Sequence, residues 1–165
     1  MTGEPRPLRI AGRGRLEDGG LVVWSVAEGA RGRRWRWTVI DTGIVRHVGL
    51  VELDPDGRFG RLELASSDGQ LTLHPSADRG ELHGNVVAVA GVRPLAFPAD
   101  ERTDVAIAFD AFGTSLLGAG EGTCIWILGG LTVEATTRRP PRLAIDYRGV
   151  PVLEAGVEWP LEDED

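Results

Sequence analysis

Apolar and polar residues alternate along much of this chain, and glycine, proline and aspartate clusters interrupt the alternation at near-regular intervals. The clearest stretch is 71–109. Leu71 to His74 alternates, 75–80 contains turn residues, and 81–90 runs back as a second extended segment. Alternation with period two between such breaks predicts consecutive antiparallel strands. The chain is therefore expected to be all-β.

The same signals recur from end to end and predict about ten to twelve short strands joined by short loops. That pattern is typical of a sandwich, a barrel or a strongly curved single sheet. The segment 104–117 also satisfies helical spacing, so one short helix there remains an alternative to a strand. We expect residues 1–161 to form a single domain, followed by an acidic tail at 162–165.

Two alternating segments in the first third of the chain contain tryptophan. Trp24 shares one strand face with its apolar neighbours at 22 and 26, and Trp35 and Trp37 share a face opposite Arg34 and Arg36. Arginine interleaved with tryptophan also occurs where proteins stack on nucleic-acid bases or bind anionic membranes. An amphipathic strand with inward indoles and solvated guanidinium groups explains the pattern better. If the inward face lines a cavity, these indoles become ligand contacts.

Two of the three histidines flank the turn at 75–80. With an even number of loop residues, His74 and His83 lie on one face of a hairpin, and the leucines at 71, 73 and 82 lie on the other. Thr72, Glu81 and Asn85 would share the polar face with them. Histidines beside a carboxylate can bind a metal or share a proton, but this spacing matches no established metal signature. The sequence does not decide whether His47 joins the pair.

Charge and cysteine content narrow the function classes. The net charge of −7 argues against a general nucleic-acid binder, although residues 1–40 are locally basic. The one cysteine, Cys124, excludes an internal disulfide framework and fits a reducing compartment. We find no signal-peptide pattern and no apolar run long enough to span a membrane. These features predict a cytoplasmic protein without an integral membrane segment.

Catalytic motifs are absent from the sequence. No serine lies in a G-x-S-x-G pattern, and the glycine run 118–122 lacks the spacing and the following helix of a dinucleotide loop. We therefore expect no cofactor and no metal, and a non-enzymatic role is favoured over a catalytic one.

Between 48 and 153 the chain resembles a bacterial glycolipid-binding family. The resemblance rests on the segments VGLVELDPDGRFGRLEL, LTLHPSADRGELHGN and DVAIAFDAFGTSLL and on a D-x-x-G-x-x-V pattern at Asp146, Gly149 and Val152. It implies one large antiparallel sheet wrapped as a half-barrel around an apolar cavity, similar to lipoprotein carriers of the Lol type. It also implies a lipid or glycolipid ligand.

Together these observations predict non-enzymatic binding of a lipid, glycolipid or similar amphiphile in an apolar cavity of a curved sheet. One alternative is a structural module that self-associates through its sheet, for example as a homodimer. Another is a small hydrolase or isomerase that uses His74 and His83. The candidate ligand-binding residues are Trp24, Trp35, Trp37, His74, His83, Asn85, Phe109 and Trp126.

Overall fold

An eight-stranded antiparallel sheet forms the main body of the computed structural model. The structure describes residues 8–15, 19–99, 105–106, 115–119, 123–128, 131–136, 144–145 and 151–152. The sheet order follows the chain order, so every strand pairs with its sequence neighbours as a meander. Its strands are β1 (Leu8–Arg15), β2 (Leu21–Gly29), β3 (Gly32–Asp41), β4 (Ile44–Leu53), β5 (Phe59–Ser66), β6 (Gly69–Pro75), β7 (Glu81–Ala88) and β8 (Gly91–Pro98).

Short turns make this meander possible. Between β4 and β5, the Asp54 carboxylate accepts hydrogen bonds from the backbone N–H groups of Asp56 and Arg58, both at 2.9 Å. Gly57 then supplies the positive φ of 79° that the turn requires. The sequence Asp-Pro-Asp-Gly is typical of a tight turn, and the structure has one here.

Alternation places the large apolar side chains on one face of the sheet, which we call the inner face. Fourteen buried apolar side chains of β2 to β7 form one cluster there, and Leu131 joins them from outside the sheet. The carbonyl of Leu131 also accepts a hydrogen bond from the Arg93 guanidinium of β8 at 3.0 Å. The opposite, outer face carries Arg34, Arg36 and Arg61 and most of the polar residues of the same strands.

The all-β antiparallel class is confirmed, but the main sheet has eight strands, fewer than the ten to twelve predicted, because it ends at β8. In the described residues β1 and β8 each pair on one side only, so the sheet is not closed. Pro94 and Pro98 lie in β8 and have no N–H to donate to a further strand, which suits an edge position.

Further short strands follow in separate sheets, and the described residues contain no α-helix. They are β9 (Val105–Ala106), β10 (Ser115–Ala119), β11 (Thr123–Leu128), β12 (Thr132–Thr136), β13 (Ala144–Ile145) and β14 (Pro151–Val152). One sheet has the order β12-β11-β10-β9, and β13 pairs with β14. Of the segment 104–117, Val105–Ala106 and the beginning of β10 are strand, whereas 104 and 107–114 lie outside the described residues.

Candidate functional site

Three indoles lie together on the inner face. Trp24 of β2 is directly opposite Trp37 of β3, and Trp35 is opposite Val26 in the next inward position. The prediction that these indoles point inward is confirmed. Their exposed fractions are only 3% to 8%, so each is covered by other protein atoms.

Trp37 is held by contacts on two sides. Its Nε1–H donates a hydrogen bond to Nε2 of His47 at 3.1 Å, which requires the His47 proton to be on Nδ1. Across the ladder, Trp37 is paired with Gly49, and the indole occupies the space where a Gly49 side chain would lie. The buried His47 therefore belongs to the inner face and does not join the other two histidines, a question that the sequence left open.

The second candidate group lies on the outer face. His74 and His83 are directly opposite each other on β6 and β7, with ring centroids 4.2 Å apart and planes inclined by 44°. Asn85 is exposed and lies opposite Thr72 on the same face. The predicted polar face of this hairpin is confirmed, and so is the inward position of its leucines.

The structure thus divides the predicted ligand-binding residues between the two faces of the sheet. Trp24, Trp35 and Trp37 are on the inner face, and the histidine pair and Asn85 are on the outer face. Phe109 lies outside the described residues, and so does the side chain of Trp126, whose backbone is in β11.

A cleft of about 720 Å³ lies where the β2–β3 turn meets the end of β4 and the beginning of β5. We call it the arginine cleft. It contains five arginines and three carboxylates, together with small or apolar residues. Its lining residues are Arg9, Ala27, Glu28, Gly29, Ala30, Arg31, Gly32, Arg33, Arg34, Glu52, Leu53, Asp54, Gly60 and Arg61.

The carboxylates of the arginine cleft already have cationic partners. Glu28 accepts two hydrogen bonds from Arg33, at 2.7 and 2.5 Å. Glu52 pairs with Arg34 at 2.5 Å. Asp54 lies 3.5 Å from the guanidinium of Arg79, which belongs to the β6–β7 turn.

Sequence reasoning missed this cleft. Its arginines come from four different segments, and their convergence depends on the strand register. The only signal in the sequence was the excess of arginine over acidic residues in positions 1–40.

A row of apolar side chains crosses the outer face. Strand pairing places Val23, Val48, Val87 and Val92 in one cross-strand row, together with Thr38, Ala65 and Gln70. The four valines are 40% to 66% exposed. An aligned exposed row of this kind is unusual for a strand face that is otherwise polar.

Two other kinds of feature are absent from the described residues. No group of three or more His, Cys, Asp or Glu side chains there is arranged to hold a metal ion. Within the same residues, no helix has the length and hydropathy needed to cross a membrane.

Comparisons of this chain with family models, with curated proteins and with solved structures find no match. The resemblance to the glycolipid-binding family therefore stays a prediction.

Proposed function

We propose that this protein is a non-enzymatic binder of a lipid, glycolipid or similar amphiphile, taken up against the inner face of a curved sheet. The observation that supports the proposal best is the group of three adjacent indoles, Trp24, Trp35 and Trp37, on one continuous apolar face. Indole rings offer a large apolar surface to an acyl chain. Among the described residues, Leu131 is the one fully buried member of that cluster from outside the sheet.

The burial of the indoles sets a condition on binding. Because their exposed fractions are below a tenth, an acyl chain contacts them only after the atoms that cover them move aside. We therefore expect uptake to be slow compared with diffusion and to change the tryptophan fluorescence.

Native mass spectrometry of gently purified protein, followed by organic extraction, is the first test. We expect an added mass that corresponds to one amphiphile per chain. Apo protein that takes up no fatty acid, lysolipid or neutral glycolipid on incubation would overturn the proposal.

Contact with the indoles can be tested with a dibrominated stearate, because bromine quenches indole fluorescence at short range. The protein would carry Trp126→Phe and Trp159→Phe, so that only the three inner-face indoles report. We expect strong quenching relative to unbrominated stearate. Binding without quenching would place the ligand elsewhere and contradict the proposed site.

Self-association through the outer face is a second candidate function, and the exposed valine row favours it. A second copy of the chain would bury this row against itself. Sedimentation analysis should then show a dimer that Val48→Thr and Val87→Thr weaken. Val89→Thr is the matched control, because Val89 is fully exposed in a turn outside the row. A monomer at all concentrations would exclude this candidate.

A further inference from the structure

We propose that the arginine cleft binds an oxyanion, with a phosphate group as the best match. Where the ligand is the amphiphile of the proposed function, this phosphate is its head group, and that part of the inference rests on the proposed function. A free phosphate ester would use the same chemistry. The cleft volume of about 720 Å³ is ample for such a group and lies within the usual range for small-molecule sites.

The shape of the cleft follows from one cross-strand row. Arg9, Ala27, Arg34, Glu52 and Arg61 lie opposite one another on β1 to β5. The small Ala27 leaves a gap between the two arginines beside it, whose backbones are about 10 Å apart because neighbouring strands are spaced by about 4.8 Å. A phosphate in this gap would lie beside the Arg9 guanidinium, while Arg34 stays paired with Glu52 on its other side.

The turn completes this arrangement. Gly29 has open space where a side chain would lie, and Ala30 adds only a methyl group. No bulky side chain therefore fills this end of the cleft, and Arg31 lies exposed beside it. A ligand can approach the turn without displacing a bulky side chain.

The charge balance favours a dianion. The lining residues carry a formal excess of two positive charges, although the protein as a whole carries −7. The three carboxylates of the cleft are paired with Arg33, Arg34 and Arg79. Arg61 pairs with Glu63, beside the cleft.

Arg9 and Arg31 form no ion pair within the part of the chain that the structure describes. These two guanidinium groups therefore match the charge of a phosphate monoester, which is between about −1.5 and −2 at neutral pH. Arginine also offers paired donors that fit two phosphate oxygens at once.

The cross-strand row of the arginine cleft is on the outer face, but Glu28, Arg33 and Leu53 extend the cleft around the β2–β3 turn to the inner face. The guanidinium carbon of Arg33 lies 5.8 Å from the centroid of the Trp35 ring, within cation–π range. Leu53 lines the cleft and also packs against the buried apolar cluster. The apolar chain of an amphiphile whose anionic head group lies in the cleft would thus pass around the β2–β3 turn to reach the indoles.

The experiment compares three probes by isothermal titration calorimetry: inorganic phosphate, dodecyl phosphate and uncharged dodecyl maltoside, the two detergents below their micelle concentrations. The variants are Arg9→Gln and Arg31→Gln. Arg13→Gln is the matched control, because Arg13 is an exposed outer-face arginine of the same strand that does not line the cleft. Thermal melting checks that each variant is folded.

We expect Arg9→Gln and Arg31→Gln each to weaken dodecyl phosphate binding about tenfold, the loss expected for one charge-assisted hydrogen bond. Arg13→Gln should change it less than about twofold, and added salt should weaken it in the wild type. Dodecyl maltoside binding should be the same in all variants.

The outcomes separate the two proposals. If both detergents bind and no arginine variant discriminates between them, the oxyanion site is wrong while amphiphile binding stands. If phosphate binds with dependence on Arg9 and Arg31 but neither detergent does, the site stands and amphiphile binding is wrong. If no probe binds, both proposals are overturned.

Discussion

At the scale of single residues, two of the three inner-face indoles are each paired with a glycine on a flanking strand. Trp24 lies opposite Gly12 of β1, and Trp37 lies opposite Gly49 of β4. Two tryptophan side chains opposite each other on adjacent strands occupy far more volume than an average cross-strand pair of side chains. Glycine on each flanking strand provides the space that they need.

Replacing Gly49 with alanine should destabilise the protein by about 2 kcal/mol or more, within the range found for overpacked cores. The added Cβ would overlap atoms Cζ2, Cε2 and Cη2 of the Trp37 indole, and a buried ring cannot move freely. Urea denaturation would measure the change in the free energy of unfolding. Gly29→Ala is the control, because nothing lies within 4 Å of its added Cβ. Equal stability of the two variants would contradict this packing.

The Trp37–His47 hydrogen bond connects the same indole to the buried imidazole on β4. A double-mutant cycle with Trp37→Phe and His47→Leu should give a coupling energy of about 1 kcal/mol, as expected for a buried neutral hydrogen bond. The cycle cancels the other contacts that each side chain makes. Additive effects of the two substitutions would show that this bond contributes nothing to stability.

Side-chain direction could be predicted from the sequence, whereas specific partners could not. Alternation alone assigned Trp35 and Trp37 to one face and Arg34 and Arg36 to the other. The pairing of Trp37 with Gly49 depends on the register between β3 and β4, which includes an irregularity between Val39 and Ile40. No local pattern in the sequence reveals such a shift, so the role of Gly49 and the burial of His47 emerge only from the fold.

At the scale of elements, the β6–β7 hairpin is fixed by its turn. The Ser76 hydroxyl donates to the Asp78 carboxylate at 2.7 Å and accepts from the Glu81 N–H at 3.1 Å. Arg79 adopts a positive φ of 60°, and its guanidinium donates to the carbonyl of Phe59 at 3.1 Å. The turn is thereby tied to the beginning of β5.

These hydrogen bonds lower the pKa of the Asp78 carboxyl below its ordinary value of 3.8, with the Ser76 hydroxyl as the main cause and the Gly80 N–H as the second. Since the folded pKa is depressed, the contribution to turn stability is present above pH 3.8 and is lost as pH falls through the folded pKa.

An NMR titration of the Asp78 carboxyl should therefore have its midpoint below 3.8, and Ser76→Ala should raise it toward that value. Ser66→Ala is the control, because Ser66 accepts its hydrogen bond in the β5–β6 turn. A midpoint that does not respond to Ser76→Ala would contradict the assignment.

The β6–β7 hairpin also shows what the number of loop residues can predict and what it cannot. An even number of loop residues correctly placed His74 opposite His83. It could not show that their face is opposite to the indoles, because that relation depends on the pairing of every strand between β3 and β6. The prediction therefore grouped residues that the sheet separates.

At the scale of the whole molecule, the main sheet is an open meander with two edges. The central strands, β2 to β7, pair with neighbours on both sides, whereas β1 and β8 pair on one side only in the described residues. Most positions of β8 are also exposed. Its edge therefore offers little apolar packing.

Hydrogen exchange followed by mass spectrometry should reveal a graded stability across this sheet. Amides of β3 to β6 should exchange most slowly, and those of β1 and β8 most rapidly, because edge strands open without disrupting the buried cluster. Uniform protection across all eight strands would instead indicate that they open only together.

The meander also has a consequence for how the chain reaches this structure. Every pairing in the main sheet joins strands that are consecutive in sequence, so each hairpin forms by closing a short loop. Such a topology has a low contact order for a β protein, and low contact order favours rapid folding. Successive strands can be added to a hairpin as they leave the ribosome, without waiting for a distant partner.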